Sequence, residues 1–250
     1  MQQPDLAVII LAAGKGTRMQ SSLAKVLLPL AGHPLLHYVL EISSKLNPVR
    51  TLVVVGHQAD QVQQTFSDRE VEFVIQHQQL GTGHAAQQTK EKLKKFKGLV
   101  LVLCGDMPFI RPDTLLKMVA GHRASEAKCT VLTLKSDGCY DFGRIIYNEK
   151  GLISKIVEFK DASDIEKTVD EFNSGVYCFD SELFFKALEH IDSNNAQKEY
   201  YLTDTIEYLV RKRYSVQATQ TQDANEILGI NSPDDLSRAE RLLVDHRQSS

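Results

Sequence analysis

Four short apolar runs punctuate the first half of the chain: LAVIIL (6–11), TLVVVG (51–56), VEFVIQ (71–76) and LVLVLC (99–104). Each is β-branched or leucine-rich, bounded by turn residues, and mostly apolar at successive rather than alternate positions. Strands of this kind are buried on both faces, which in a soluble protein means a parallel sheet covered by crossover helices. The segments between them, PLLHYVLEISSKL, ADQVQQTF and GHAAQQTKEKLKKF, carry helical periodicity, and Pro34 stands where a first helical turn tolerates it. The resulting βαβαβαβ pattern predicts an α/β fold with a doubly wound, mostly parallel, Rossmann-like sheet. TVLTL, GRIIY, LISKIVEF and FNSGVYCF then read as strands, and 181–190, 201–213 and 233–245 as helices, so the second half is mixed β/α. No repeat, low-complexity tract or linker interrupts the chain, and one domain over 1–250 is expected.

Composition narrows the function. The chain is 42% hydrophobic with a formal net charge of -3 and a pI near 6.2. That balance lacks the attraction a sequence-blind nucleic-acid binder or an anionic-membrane binder relies on. The lysine-rich KEKLKKFK (90–97) therefore reads as a solvated helix face. The four cysteines, Cys104, Cys129, Cys139 and Cys178, are far apart and form no C-x-x-C, so buried thiols in a reducing compartment are expected rather than zinc or disulfides. No apolar stretch approaches the roughly 20 residues of a membrane span, and MQQPDLAVII lacks the basic start of a signal peptide. A cytoplasmic location follows as the expectation.

The first apolar run leads into ILAAGKGTRMQSSLAKVLLPLAG (10–32). A strand delivering the chain into a turn where Gly14 and Gly16 can adopt positive φ would expose backbone N–H groups to a phosphate, with Arg18 and Lys25 supplying positive charge. The glycines fit G-x-G-x-x-M, so the third glycine of the dinucleotide fingerprint is replaced by Met19, and no Walker A pattern occurs. A Rossmann oxidoreductase is disfavoured on that ground. From the loop alone, a plain β–α connection with surface cations remains an alternative.

Further strings narrow the choice: QHQQLGTGHAAQQ (76–88), LCGDMPFI (103–110), FGRIIYNEKGLISKIVEFKDA (142–162), FNSGVYCFD, NNAQKEYYLTD and LGIN. Together with LAAGKGTRM and AKVLLPLAG, and in this order, they resemble the uridylyltransferase (pyrophosphorylase) domain of the bifunctional N-acetylglucosamine-1-phosphate uridylyltransferase/glucosamine-1-phosphate acetyltransferase family. That domain is of the nucleotide-diphospho-sugar transferase type, in the GT-A-like nucleotidyltransferase superfamily. The resemblance runs from about Leu6 to about Leu243. It implies a nucleotide-binding half over about 1–120, a sugar-binding half over about 121–231 and a C-terminal helix over about 232–250.

Carried over where the strings match, the resemblance implies that Leu11, Ala12, Ala13 and Gly14 line the base and ribose. Arg18 would face the β- and γ-phosphates of UTP and Lys25 the α-phosphate, both as catalytic cations. Gln76, Gly81 and Thr82 correspond to uracil readers, with Gln76 otherwise an ordinary strand-end residue. Cys104, Gly105, Gly143, Glu158 and Asn173 match positions on the N-acetylglucosamine phosphate, and Asp106 and Asn231 match the protein ligands of Mg²⁺. On the residues alone, Asp106 leaving an apolar strand is either a helix cap or a metal ligand, Glu158 a strand-edge polar group, and Asn231 an N-cap for the SPDDL helix. His33 and His37 share an i, i+4 spacing, but their turn-and-proline context disfavours a metal pair.

The implied reaction joins UTP and N-acetyl-α-D-glucosamine 1-phosphate to give UDP-N-acetylglucosamine and pyrophosphate, a step in cell-wall precursor synthesis. The attacking phosphate is already ionised near pH 7, so none of the eight histidines is assigned as a general base. Cys104 stands where the family commonly has an aromatic, and Ser174 where threonine is usual. A different sugar or polyol phosphate acceptor, or an inactive nucleotide-sugar sensor, are the alternatives. The sequence contains no hexapeptide repeats of the acetyltransferase half, so neither acetyl transfer nor a particular oligomer is expected.

Overall fold

The computed structural model describes residues 5–138 and 140–248, so Cys139 lies outside the described residues. The chain opens with β1 (Asp5–Ala12), a small hairpin of β2 (Pro29–Leu30) and β3 (His33–Pro34), α1 (Leu35–Ser44), β4 (Arg50–Val55) and α2 (Ala59–Thr65). It continues through β5 (Glu72–Ile75), α3 (Thr82–Gln87), α4 (Lys90–Leu93), β6 (Gly98–Cys104) and α5 (Pro112–Ala124). Then come β7 (Cys129–Lys135), β8 (Arg144–Tyr147), β9 (Ile153–Val157), α6 (Asp164–Lys167), β10 (Glu171–Asp180) and α7 (Ser181–Leu188). The last elements are α8 (Asp204–Arg211), β11 (Val216–Thr221) and α9 (Pro233–Gln248).

One nine-stranded sheet, ordered β11-β7-β10-β6-β1-β4-β5 with β8 and β9 branching from β10, runs through both halves of the chain. Strands β6, β1, β4 and β5 are parallel, as the buried apolar runs predict. β10 runs antiparallel to both β6 and β7, which makes the second half mixed.

The period-2 geometry of a strand explains how each run serves two cores at once. Leu6, Val8 and Ile10 of β1, with Leu99, Leu101 and Leu103 of β6, face one layer that includes Leu36 and Val39 of α1 and Leu115 and Met118 of α5. Ala7 and Ile9, with Val100 and Val102, face the opposite layer of α3, α7 and α8, where Phe184 and Ile206 are fully buried. Each fully buried leucine or isoleucine contributes about 1.5–3 kcal/mol. A third cluster seats α9 through Ala239 and Leu236 on Met19, Leu28, Leu30 and Ile230, so the C-terminal helix braces the loop after β1.

Three features differ from the sequence reading. Helix α5 went unread although Leu115, Met118, Val119 and His122 are buried at helical spacing. His122 hid the stripe: it is a core residue, 2.8 Å from Thr130 Oγ1, and burial lowers its imidazole to about 4, leaving it neutral. Strand β11, VQATQT, is a polar edge strand pairing only with β7, and edge strands lack the apolar signal. The expected helix over 83–96 divides at Gln88 and Thr89, whose N–H groups bond three residues back, while the Thr89 hydroxyl donates to Ala86 O at 2.7 Å. The lysine-rich face of this region is exposed, as expected.

The segment after β5 is pinned to the 199–202 stretch. Tyr200 N–H donates to Leu80 O at 2.8 Å, Gly83 N–H to Tyr200 O at 2.8 Å, and Leu202 N–H to Thr82 Oγ1 at 3.0 Å. Gly81 makes this approach possible: its φ is +110°, and a Cβ there would lie 2.6 Å from Tyr200 O. Gly81→Ala is therefore expected to lower unfolding free energy by about 2 kcal/mol or more. Gly14→Ala, with nothing within 4 Å of the added Cβ, should change it by less than ~0.5 kcal/mol. Urea titration of the two variants checks the contrast.

Candidate functional site

Strands β1 and β6 pair in register up to Leu11 and Cys104, and a cleft of about 600 Å³ opens beyond their carboxyl ends. This is the edge at which open α/β sheets bind ligands. Leu11, Ala12, Ala13 and Gly14 line it, and so do Gln76, Gly81 and Thr82, and Lys25, Cys104, Asp106 and Asn231. Eleven residues named from separate sequence strings thus share one cavity. Lys15, Thr17, Gln79 and Glu199 line it as well, though the sequence reading did not single them out. Gln79 and Glu199 lay inside the quoted strings, so their neighbours' assignment was the available signal.

The turn carrying Lys25 is built from several directions. Gln58 donates to Ser22 O at 2.8 Å and accepts from Ala24 N–H, and Val26 and Leu27 bury in the core. Gly16, at φ +62°, gives room to the Lys25 stem: a Cβ there would lie 2.7 Å from Lys25 Cβ. Lys25 Nζ then pairs with Asp106 Oδ2 and donates to Asn231 Oδ1 at 2.9 Å. These side chains are 15% and 14% exposed for Lys25 and Asp106, so the pair is only partly screened by water.

Asn231 reaches this position because it does not cap α9. Ser232 does: Asp235 N–H donates to Ser232 Oγ at 3.2 Å, and Asp235 Oδ2 accepts from Ser232 N–H at 2.8 Å. The Asn231 amide instead donates to Gly229 O at 3.1 Å, which turns Oδ1 toward Lys25. Ile230 N–H donates to Asp106 O at 3.0 Å and locks the two ligand-bearing turns together. Asp106 and Asn231 form an oxygen-only donor pair that already holds one cationic group.

One expectation for the loop is corrected, and Arg18 stands apart from the other named residues. Gly16 has positive φ but Gly14 does not; the left-handed residues flanking the Thr17–Met19 turn are Gly16 and Gln20. Space beside the Gly14 Cα is open, leaving its backbone bare to the cleft. Arg18 lies on the 3-10 turn Thr17–Met19, exposed and outside the residues lining the cleft, whereas its neighbours Lys15 and Thr17 line it.

Of the residues expected on the sugar, Cys104 and Gly105 lie at the end of β6, and Gly143, Glu158 and Asn173 in the second half. Gly105 sits beneath the cleft wall, donating to Leu11 O at 2.9 Å. Asn173 N–H donates to Gly143 O at 2.9 Å, and Asn173 Oδ1 accepts from Tyr177 Oη at 2.9 Å and Gly175 N–H at 3.2 Å. Cys104 donates weakly to Gly175 O at 3.6 Å. Burial first, then the charge of Asp106, pushes its thiol up to about 12, so it is no nucleophile. Glu158 is raised chiefly by burial, opposed by the Thr203 hydroxyl that donates to its Oε1 at 3.0 Å. Glu158 lines a second pocket, of about 420 Å³, with Asp161, Asp192, Tyr201 and Asp204. There Asp204 is pushed up to about 7, first by burial and then by Asp192 and Glu158.

Base recognition would fall to Gln76, which is buried and whose Nε2 donates to Gly81 O at 3.1 Å and approaches His84 Nδ1 at 2.9 Å. His33 and His37 stack face to face, with Arg69 3.0 Å from His37 Nδ1, and neither lines the cleft. Among the described residues, Cys104, Cys129 and Cys178 are free thiols, the last two buried, and no helix is long and apolar enough to cross a membrane.

Comparison with known proteins agrees with this geometry. The chain is 45% identical over 235 residues to the bifunctional protein GlmU of Shouchella clausii, covering 94% of this chain and 52% of that protein. It is 43% identical to the GlmU protein of Bacillus subtilis, covering 94% and 51%, and 44% identical to that of Trichlorobacter lovleyi, covering 95% and 52%. The chain therefore spans about half the length of these relatives. A solved structure of a UDP-glucose pyrophosphorylase bound to UDP-glucose superposes with a TM-score of 0.76 over 97% of this chain and 99% of that one, at 18% identity. That likeness establishes the fold as the nucleotide-diphospho-sugar transferase type. Residues 8–200 match the MobA-like NTP transferase domain, and the chain belongs to that family.

Proposed function

We propose that the cleft transfers UMP from UTP to N-acetyl-α-D-glucosamine 1-phosphate, releasing pyrophosphate and forming UDP-N-acetylglucosamine. The observation that carries this reading is the Lys25–Asp106–Asn231 cluster, set in one cleft with Gln76, Gly81 and Thr82. The GlmU relatives at 43–45% identity support the substrate pair. The acceptor half rests on Asn173 and Cys104, which meet where β10 bends at Gly175 beside the end of β6, and on Glu158 in the second pocket.

In this mechanism a phosphate oxygen of the sugar phosphate attacks the α-phosphorus of UTP in line. A P–O bond forms to the acceptor and the P–O bond to pyrophosphate breaks, with no covalent enzyme intermediate and no proton to remove. The protein's task is positioning and charge neutralisation. The backbone of Leu11–Gly14 supports the nucleoside, Lys25 neutralises charge at the α-phosphate, and Arg18 at the exposed rim meets the outer phosphates.

Mg²⁺ fits the donor set, since a carboxylate and an amide oxygen suit a hard cation that keeps several waters and shares substrate phosphates. When bound to Asp106 and Asn231, the ion would supply positive charge for the phosphates. Lys25, which pairs with Asp106 and Asn231 in the ligand-free chain, is the cation placed to serve the α-phosphate.

Pyrophosphate release over a matrix of nucleotides and sugar phosphates tests the substrates. UTP is expected to be used at least ~10²-fold better than ATP, because mispaired buried polar groups cost a few kcal/mol. Equal use of ATP, or a strong preference for another acceptor, overturns the corresponding half of the assignment. Lys25→Met should lower kcat by roughly 10²-fold or more in the same assay while circular dichroism remains that of the folded protein.

A further inference from the structure

Gln76 presents its carboxamide to the cleft in one sense only. Its Nε2 has two hydrogens, and both face protein acceptors: Gly81 O at 3.1 Å and His84 Nδ1 at 2.9 Å. The carbonyl of Gly81 can only accept, so it takes one hydrogen of the amide nitrogen and leaves the other to His84. The second N–H then requires an unprotonated His84 Nδ1. Burial favours this, since it lowers the basicity of the imidazole, although the Gln78 carbonyl opposes the effect. The proton of the neutral ring then sits on Nε2, so the Gln88 amide nitrogen 3.2 Å from it makes no hydrogen bond there and donates to the His84 carbonyl at 2.9 Å; Tyr200 lies beside the ring with centroids 6.2 Å apart. Gln76 Oε1 accepts from no group among the described residues, and Gln76 lines the cleft.

We infer that His84 is a positioning residue for base selection: it holds Gln76 so that only an acceptor, Oε1, faces the nucleotide base. This rests on the proposed nucleotide site and specifies how that site discriminates. An acceptor at that place pairs with a ring N–H. Uracil offers one at N3, whereas cytosine N3 and adenine N1 carry lone pairs that Oε1 repels. A carboxamide released from His84 could swing and offer its N–H to cytosine instead. His84 itself touches no substrate; it acts through Gln76.

Three substitutions separate this role from space filling. His84→Asn places an amide oxygen near the position of Nδ1, His84→Phe keeps the ring without an acceptor, and His84→Ala removes both. The readout is the ratio of kcat/KM for UTP to that for CTP, with melting temperatures recorded to establish folding. The Asn variant is expected to keep the wild-type ratio within about threefold. The Phe and Ala variants should lose at least ~10-fold of it, mainly through KM for UTP, with kcat at saturating UTP changed less than about threefold. If the Phe variant keeps the ratio, or if Asn loses as much as Phe, His84 does not orient Gln76 and the inference falls. If the wild-type protein itself fails to prefer UTP over CTP, the uracil assignment fails first and takes the inference with it. Should Ala not fold, the Asn and Phe pair decides the matter alone.

Discussion

The Lys25 ammonium, paired with Asp106 and bonded to Asn231, joins three parts of the chain that local structure alone would leave apart. One partner comes from the loop after β1, one from the end of β6, and one from the turn before α9. With Asp106 and Lys25 only 14% and 15% exposed, neither charge is well hydrated by itself. Removing one leaves the other partly buried and unpaired, the costly case for an ion pair. Much of the surrounding architecture reads as support for this junction. Gln58 fixes the approach to Lys25, Ile230 is bonded to the Asp106 carbonyl, and Ser232 takes over the capping of α9.

The sheet order explains why donor and acceptor can meet at one edge. β10 enters antiparallel between β6 and β7, and its pairing with β7 shifts register between Asn173 and Tyr177. Gly175, at φ +83°, bends the strand there, and its carbonyl accepts from Cys104 at the end of β6. The bend of β10 thereby lies next to Cys104 at the cleft, although about 70 positions separate Cys104 from Gly175 along the chain. A parallel strand in the same place would carry its Asn173 end to the opposite edge.

The parallel half was legible in the sequence because its signal is physical and local: a strand buried on both faces must be apolar throughout. The four runs have that form and become β1, β4, β5 and β6. That Gly81, Asp106 and Asn231 share a cavity was legible only through the family resemblance of the strings that hold them, the short LGIN among them. What stayed hidden was long-range. α5 was obscured by a buried histidine satisfied by Thr130, and β11 by a polar composition suited to an edge. Asn231 could be read as a cap until Ser232 was seen to fill that role. The hold of His84 on Gln76 links residues within a single quoted string, yet no spacing rule announces it.

Anomalous diffraction from crystals grown with Mn²⁺ and a non-hydrolysable UTP analogue tests the central claim most directly. The account predicts one Mn²⁺ bonded to an Asp106 carboxylate oxygen and to Asn231 Oδ1 at about 2.1 Å, with Lys25 Nζ moved off both and against the α-phosphate. A nucleotide bound in the cleft with Lys25 still bridging Asp106 and Asn231, and with Mn²⁺ elsewhere or absent, contradicts it.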